Sequence, residues 1–128
     1  MTERLSVLIV DDSRSMISQL EGIIAEFDWV DLVATARDGA SAIRMAAELQ
    51  PDLVLMDIVM PGMDGLSALR ALVATNPAVQ VAMISSVGGR ASMAEEAFRL
   101  GAVQVLGKPF DKDTIAALLV AVKADRGA

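Results

Sequence analysis

Several short apolar runs in the chain end in residues that could do chemistry. The run "VLIV" is followed by the adjacent acids Asp11 and Asp12, and the run "DLVLM" is followed by Asp57. Further along, "VAMI" precedes Ser85 and "VQVLG" precedes Lys108. Three carboxylates, a hydroxyl and an ammonium form a set that suits a hard cation and a phosphoryl group. These residues therefore indicate phosphoryl-transfer chemistry if the fold brings them together.

The carboxylates suit Mg²⁺ in particular. This ion prefers oxygen ligands, keeps several waters and is usually held by one or two carboxylates together with phosphate. A cation would offset the repulsion between Asp11 and Asp12, and Asp57 could then act as a nucleophile that forms an aspartyl phosphate. Lys108 and Ser85 would donate hydrogen bonds to the other phosphoryl oxygens. A plainer alternative is that the paired acids cap a helix and that Ser85 bonds a neighbouring carbonyl.

Hydrophobic periodicity predicts the elements that must position these residues. Runs rich in β-branched residues predict five strands, at 5–10, 30–36, 52–56, 79–85 and 103–106, and apolar residues at helical spacing predict a helix after each of them. Strands that alternate with helices predict an α/β fold, a doubly wound five-stranded parallel sheet with five helices. The functional crevice of such a sheet lies beyond the carboxyl ends of its strands. The candidate residues all follow such ends, so we expect them to meet there.

The same periodicity predicts the domain boundaries and the buried faces of the helices. A single domain is expected over residues 1–124, with a frayed tail at 125–128. Asp111 or Asp113 is available to cap the fifth helix. The buried stripe of the first helix is expected to contain Met16, Leu20, Ile23 and Phe27, widened by Ile17 and Ile24.

Composition excludes several classes of function. The chain has 128 residues with no histidine and no cysteine, so disulfides, thiolate metal sites and histidine general bases are excluded. A net charge of −6 argues against direct nucleic-acid binding, which needs a basic face. No apolar run is long enough to span a membrane, and the first residues lack the pattern of a secretory signal. We therefore expect a cytoplasmic protein with no membrane insertion.

Four segments together resemble the receiver domains of bacterial two-component response regulators. They are "VLIVDDS" at 7–13, "DLVLMDIVMPGMDGL" at 52–66, "ISS" at 84–86 and "GAVQVLGKPF" at 101–110, in the order and spacing of that family. The resemblance covers essentially the whole chain and implies the flavodoxin-like strand order 2-1-3-4-5. It also implies a signalling switch rather than a metabolic enzyme. Its motifs are similar to those of single-domain chemotaxis regulators and of methylesterase receivers.

The resemblance implies how the acids divide their roles. Asp57 would accept the phosphoryl group. Mg²⁺ would be bound directly by Asp12, by Asp57 and by the Val59 carbonyl. Asp11 would act on the same ion through a metal-bound water.

The resemblance also implies the phosphoryl contacts and the partners. The Ser85 hydroxyl and the Ser86 amide would donate to the phosphoryl group, and Lys108 would pair with it. In the family the bond before Pro109 is usually cis, which would place the lysine. The donor would be a phosphohistidine on a sensor histidine kinase. The output would be a downstream protein target that binds the face of the fourth helix, fifth strand and fifth helix.

Two other functions are compatible with parts of the pattern. An aspartate-nucleophile phosphohydrolase commonly places a second acid two residues after the first, but that position is Val59. A docking module that works without phosphorylation would have no need for the acid, hydroxyl and lysine set.

One position departs from the family. Most receivers carry an aromatic residue three positions before the lysine, and this chain has Val105 there. A β-branched side chain has few χ1 rotamers, so we expect the usual ring rotation to be missing. Movement of the glycine pair at 88–89 is the expected replacement.

Overall fold

The computed structural model describes residues 4–85, 91–108 and 110–127, with side chains for all of these except 91, 92, 126 and 127. The strands are β1 (Leu5–Val10), β2 (Val30–Ala36), β3 (Leu53–Asp57), β4 (Gln80–Ser85) and β5 (Gln104–Gly107). The helices are α1 (Arg14–Ile24), α2 (Gly39–Leu49), α3 (Gly65–Thr75), α4 (Ala91–Arg99) and α5 (Lys112–Gly127).

The strands form one parallel sheet in the order β2-β1-β3-β4-β5, which confirms the expected doubly wound, flavodoxin-like fold. Parallel neighbours need crossover connections, and a helix lies between each pair of consecutive strands. The chain order reverses beside β1, so the crevice at the switch point lies between the carboxyl ends of β1 and β3. Val10 pairs with Met56, so the acids that follow these two residues are neighbours.

Two hydrophobic layers cover the sheet. Leu20 of α1 and Ile115 of α5 are almost fully buried in one layer, and Ala46 of α2 and Leu69 of α3 are fully buried in the other. The central strands β1, β3 and β4 are buried almost throughout, as their unbroken apolar runs predict. Close packing on both faces gives the strand ends a rigid base.

Four helices begin at a side chain that accepts a backbone N–H three residues later. These N-cap residues and their donors are Ser13 with Met16, Asp38 with Ser41, Asp64 with Ser67, and Asp111 with Thr114. Of the two candidates for α5, Asp111 is therefore the cap. The Ser41 backbone N–H lowers the pKa of Asp38, and the Thr114 hydroxyl and N–H lower that of Asp111.

The buried face of the first helix confirms the predicted stripe. Ile17, Leu20 and Ile24 are buried. Met16, Ile23 and Phe27 are partly buried and pack against the same core layer. The residues that widen the predicted stripe, Ile17 and Ile24, are thus more deeply buried than Met16 and Ile23.

Helix α5 is longer than the sequence indicates. It runs to Gly127 and so enters the segment 125–128 that was expected to be a tail. Asp125 is tied to the sheet, because the Gln80 Nε2 donates to its Oδ2 at 2.7 Å. No helix in the described part of the chain combines the length and apolar character that crossing a bilayer requires.

A strained helix end in α2 gives a first prediction. Gln50 caps this helix with φ at 48°, in the left-handed region, and its side chain is exposed. A side chain costs about 1 kcal/mol or more in this conformation, so Gln50→Gly should raise the free energy of unfolding by about 0.5–1 kcal/mol. Urea unfolding measures the change. Gln19→Gly, at an exposed position inside α1, should instead lower the free energy of unfolding by a similar amount. A lower free energy of unfolding in both variants would contradict the strain at Gln50.

Candidate functional site

Three carboxylates converge at the carboxyl edge of the sheet. One oxygen from each of Asp11, Asp12 and Asp57 lies within 4.8 Å of the other two. Asp11 is 1% exposed and Asp57 is 4% exposed, whereas Asp12 is exposed. The Asp11 N–H donates to the Ala36 carbonyl at 3.0 Å, which fixes the end of β1 against β2. The structure thus brings together the three acids that the sequence places at the ends of two strands.

Lys108 joins the two buried acids from the opposite side of the crevice. Its Nζ lies 3.2 Å from Asp57 Oδ2 and 3.4 Å from Asp11 Oδ2, and its side chain is 14% exposed. The Lys108 N–H donates to the Ser85 carbonyl at 2.8 Å, so the end of β4 positions the lysine backbone. One ammonium therefore faces two carboxylates that are largely shielded from water.

Backbone donors hold the other oxygens of the buried acids. The Ser13 N–H donates to Asp11 Oδ1 at 2.9 Å, and the Val59 N–H donates to Asp57 Oδ1 at 3.2 Å. No other described residue donates a hydrogen bond to the Asp12 carboxylate, so its oxygens are open to a ligand. Asp12 therefore differs from its two buried neighbours, and it has the character expected of a direct metal ligand.

Burial raises the pKa of Asp57 above its ordinary value of 3.8. Lys108 opposes this shift, and the negative charge of Asp11 adds to it. A raised pKa means that the folded state holds the proton more tightly than the unfolded state does. Asp57 therefore makes the fold less stable as the pH rises from the acid range to neutrality. A cation beside this carboxylate would reverse that effect.

The remaining predicted residues differ in their setting. Ser85 is the last residue of β4 and is 6% exposed at the same edge. Val59 is 51% exposed in the loop after β3. Val105 is partly buried and packs against the core layer to which α2, α3 and α4 contribute. The expectations for Ser86, for the glycine pair at 88–89 and for the bond before Pro109 concern positions outside the described residues.

Gly65 allows α3 to pack closely against the end of β3, although the motif that contains it has the composition of a simple turn. A Cβ at Gly65 would lie 2.2 Å from the Asp57 carbonyl oxygen and 2.6 Å from Ile58 Cα. The Gly65 N–H also donates to the Ile58 carbonyl at 2.7 Å. Helix α3 can therefore begin directly beneath the phosphoacceptor candidate only because this residue has no side chain.

Arg37 is a residue that sequence reasoning passed over. It directly follows β2, the strand whose end carries none of the predicted site residues. Its Nη2 donates to the Asp12 carbonyl at 3.0 Å. Its place in the sequence could have revealed it, because a cationic residue that directly follows a strand lies at the same edge of the sheet as the acids.

Comparison with known proteins places the chain in a family. The family profile described as "Response regulator receiver domain" matches residues 7–120. A protein-glutamate methylesterase/protein-glutamine glutaminase of Myxococcus xanthus is 40% identical over 105 residues, which cover 82% of this chain but only 30% of that protein. The chemotaxis protein CheY of Listeria monocytogenes is 37% identical over 111 residues, which cover 87% of this chain and 92% of CheY.

A solved structure supports the same assignment. The CheX-CheY-BeF3-Mg²⁺ complex of Borrelia burgdorferi contains a chain that superposes with a TM-score of 0.87 at 30% identity, covering 94% of this chain and 90% of that one. The profile, the sequence relatives and the fold agree. The chain belongs to the response regulator receiver domain family and is related to CheY and to the receiver domains of methylesterases.

Proposed function

We propose that this receiver domain accepts a phosphoryl group on Asp57 in a Mg²⁺-dependent reaction and so switches a protein-binding surface. The observation that carries the proposal is the meeting of Asp11, Asp12, Asp57 and Lys108 at one edge of the sheet. These residues come from the ends of three different elements, and a purely structural role would not require a third acid beside the two that pair with Lys108. The domain would act as a signalling switch rather than as a metabolic enzyme.

The donor set fits Mg²⁺. Asp12 and Asp57 would bind the ion directly with the Val59 carbonyl, and Asp11 would act through a metal-bound water, as the family resemblance implies. The bound ion would neutralise charge on the transferred phosphoryl group. The related Borrelia CheY complex was solved with BeF3 and Mg²⁺, which supports the same pairing of ligands here.

The chemistry at Asp57 is a substitution at phosphorus. A carboxylate oxygen of Asp57 forms the new P–O bond as the P–N bond of a phosphohistidine breaks, and the departing imidazole takes up a proton from water. Lys108 is positioned to move from the carboxylates to the phosphoryl oxygens, and the Ser85 hydroxyl and Ser86 amide would supply further donors. The donor protein would be a sensor histidine kinase.

The output would be a downstream protein target on the face formed by α4, β5 and α5. A groove of about 710 Å³ lies along the part of this face formed by β5 and α5, with side chains such as Leu106 of β5 and Ala117 of α5 among its walls. Phosphorylation adds charge at the end of β3 and draws Lys108, which directly follows β5 in the chain, toward it. The kinship with CheY supports a role in chemotaxis-type signalling.

Phosphoryl transfer from a small donor tests the proposal. The protein is incubated with acetyl phosphate and Mg²⁺ and, in a parallel reaction, with acetyl phosphate and EDTA. Its intact mass is measured after each incubation. We expect a gain of one phosphoryl group that needs Mg²⁺ and is lost in Asp57→Asn. Asp28→Asn, an exposed acid after α1, is the matched control and should be modified as the parent is. An adduct that persists in Asp57→Asn would refute the assignment, and no adduct at all would favour docking without phosphorylation.

A further inference from the structure

We propose that Arg37 is a positioning residue for Asp12, holding the backbone of this metal ligand so that its carboxylate faces the ion. The inference rests on the proposed function, because it assigns a role toward the same Mg²⁺ site. It starts from one contact, the hydrogen bond from Arg37 Nη2 to the Asp12 carbonyl at 3.0 Å.

Asp12 is the acid of the cluster that most needs such support. Asp11 and Asp57 are buried, and each has hydrogen bonds on both carboxylate oxygens. Asp12 is exposed, and within the described residues its carboxylate accepts no hydrogen bond from another residue. A loosely held ligand must be ordered when a metal binds, and this ordering lowers the affinity. A restraint on the Asp12 backbone reduces that loss.

Arg37 reaches Asp12 from a fixed base. The preceding Ala36 carbonyl accepts the Asp11 N–H at 3.0 Å, and the following Asp38 caps α2. A Cβ at Gly39 would approach the Met63 carbonyl oxygen within 3.2 Å, so the start of α2 is packed against the loop after β3. The backbone of Arg37 is therefore held on both sides, and its guanidinium links the end of β2 to the metal-binding edge.

A role in stability alone does not explain the contact. The ends of β1 and β2 are already joined by paired strands and by the Asp11 to Ala36 bond. The Arg37 contact is exposed, and exposed charged contacts add little to folding. Its effect should therefore appear in metal binding rather than in unfolding.

The sign of the effect separates positioning from simple charge. A cation near Mg²⁺ repels it, so removing Arg37 should tighten binding if only its charge mattered. If Arg37 positions Asp12, its removal should weaken binding instead. Loss of a residue that orients a metal ligand typically lowers affinity by about 10–100-fold, and the exposure of this contact places the expected loss at about three- to tenfold.

Calorimetric titration of Mg²⁺ into the full chain tests the inference. We expect Kd to rise about three- to tenfold in Arg37→Ala, and Arg37→Lys, which keeps a donor and a charge, to recover most of the affinity. Arg44→Ala is the matched control, because Arg44 is an exposed arginine of α2 whose hydrogen bond among the described residues goes to Ser41. Its Kd should stay within about twofold of the parent. The urea midpoint of Arg37→Ala in EDTA should match that of the parent.

Each contrary result has a distinct meaning. Equal or tighter Mg²⁺ binding by Arg37→Ala would overturn the positioning role while leaving the proposed function intact. Equal weakening in Arg44→Ala would show that the loss is not specific to the contact with Asp12, and it would also overturn the positioning role. A parent protein that binds no Mg²⁺ would overturn both this inference and the proposed function.

Discussion

Replacing Lys108 with methionine is expected to lower the free energy of unfolding by about 3 kcal/mol at neutral pH in EDTA. The lysine Nζ lies within 3.4 Å of an oxygen of each of Asp11 and Asp57, and methionine leaves both buried carboxylates without their cation. Because Lys108 opposes the upward shift of the pKa of Asp57, its loss raises that pKa further. The folded variant then takes up a proton more readily, so its deficit should shrink as the pH falls toward the acid range.

Two companion variants make this prediction specific. Lys112→Met removes an exposed lysine that pairs with Glu26 on the surface, and it should cost less than about 1 kcal/mol. Adding Asp57→Asn to Lys108→Met should restore much of the lost stability, because the substitution removes one of the unpaired charges. Urea unfolding across pH measures all three proteins. A loss in Lys108→Met no greater than that in Lys112→Met would show that the lysine does not neutralise the buried acids.

Gly65→Ala is the second substitution with a large expected effect. The new Cβ would lie 2.2 Å from the Asp57 carbonyl oxygen and 2.6 Å from Ile58 Cα. Both are backbone atoms at the packed end of β3, so the clash can be relieved only if α3 or the end of β3 moves. We expect the free energy of unfolding to fall by about 2–3 kcal/mol. Phosphorylation of Asp57 should slow as well, since its backbone would shift.

Gly22 offers the matched comparison for Gly65. It lies inside α1, and a Cβ there would meet no atom within 4 Å. Gly22→Ala should therefore raise the free energy of unfolding by about 0.5–1 kcal/mol, through better helix propensity. If Gly65→Ala were as stable as the parent and as readily phosphorylated, α3 would not press on Asp57 as the structure indicates.

The sequence predicts the strands of the sheet well because the hydrophobic pattern that marks them is simple. The central strands are buried on both faces, so their unbroken apolar runs mark them within one residue, and β3 ends at Asp57 rather than at Met56. The same signal predicts α1 and the side of it that faces the core. It does not predict that Ile17 and Ile24 are buried more deeply than Met16, because that depends on how the helix docks on the sheet. Near its end, α5 makes a hydrogen bond between Gln80 and Asp125 that joins residues far apart in the chain, and hydrophobic periodicity does not encode such a contact.

The candidate site likewise has features that the sequence predicts and features that it does not. Strand ends place Asp11, Asp57 and Lys108 at one edge whatever their rotamers, so position in the chain predicts their meeting. The contact of Arg37 with Asp12 depends on a long exposed side chain folding back on a backbone carbonyl. The need for glycine at Gly65 depends on an approach of α3 to β3 that no periodicity encodes. Such contacts become visible only once the elements are assembled.

The most direct test of the central claim identifies the phosphorylated residue chemically. The protein is treated with acetyl phosphate and Mg²⁺ and then with borohydride, which reduces an aspartyl phosphate to homoserine, and its peptides are sequenced by mass spectrometry. We predict homoserine at position 57 and intact aspartate at positions 11 and 12. Homoserine at position 11 or 12, or aspartate at all three positions after treatment, would contradict the claim that Asp57 is the phosphoacceptor.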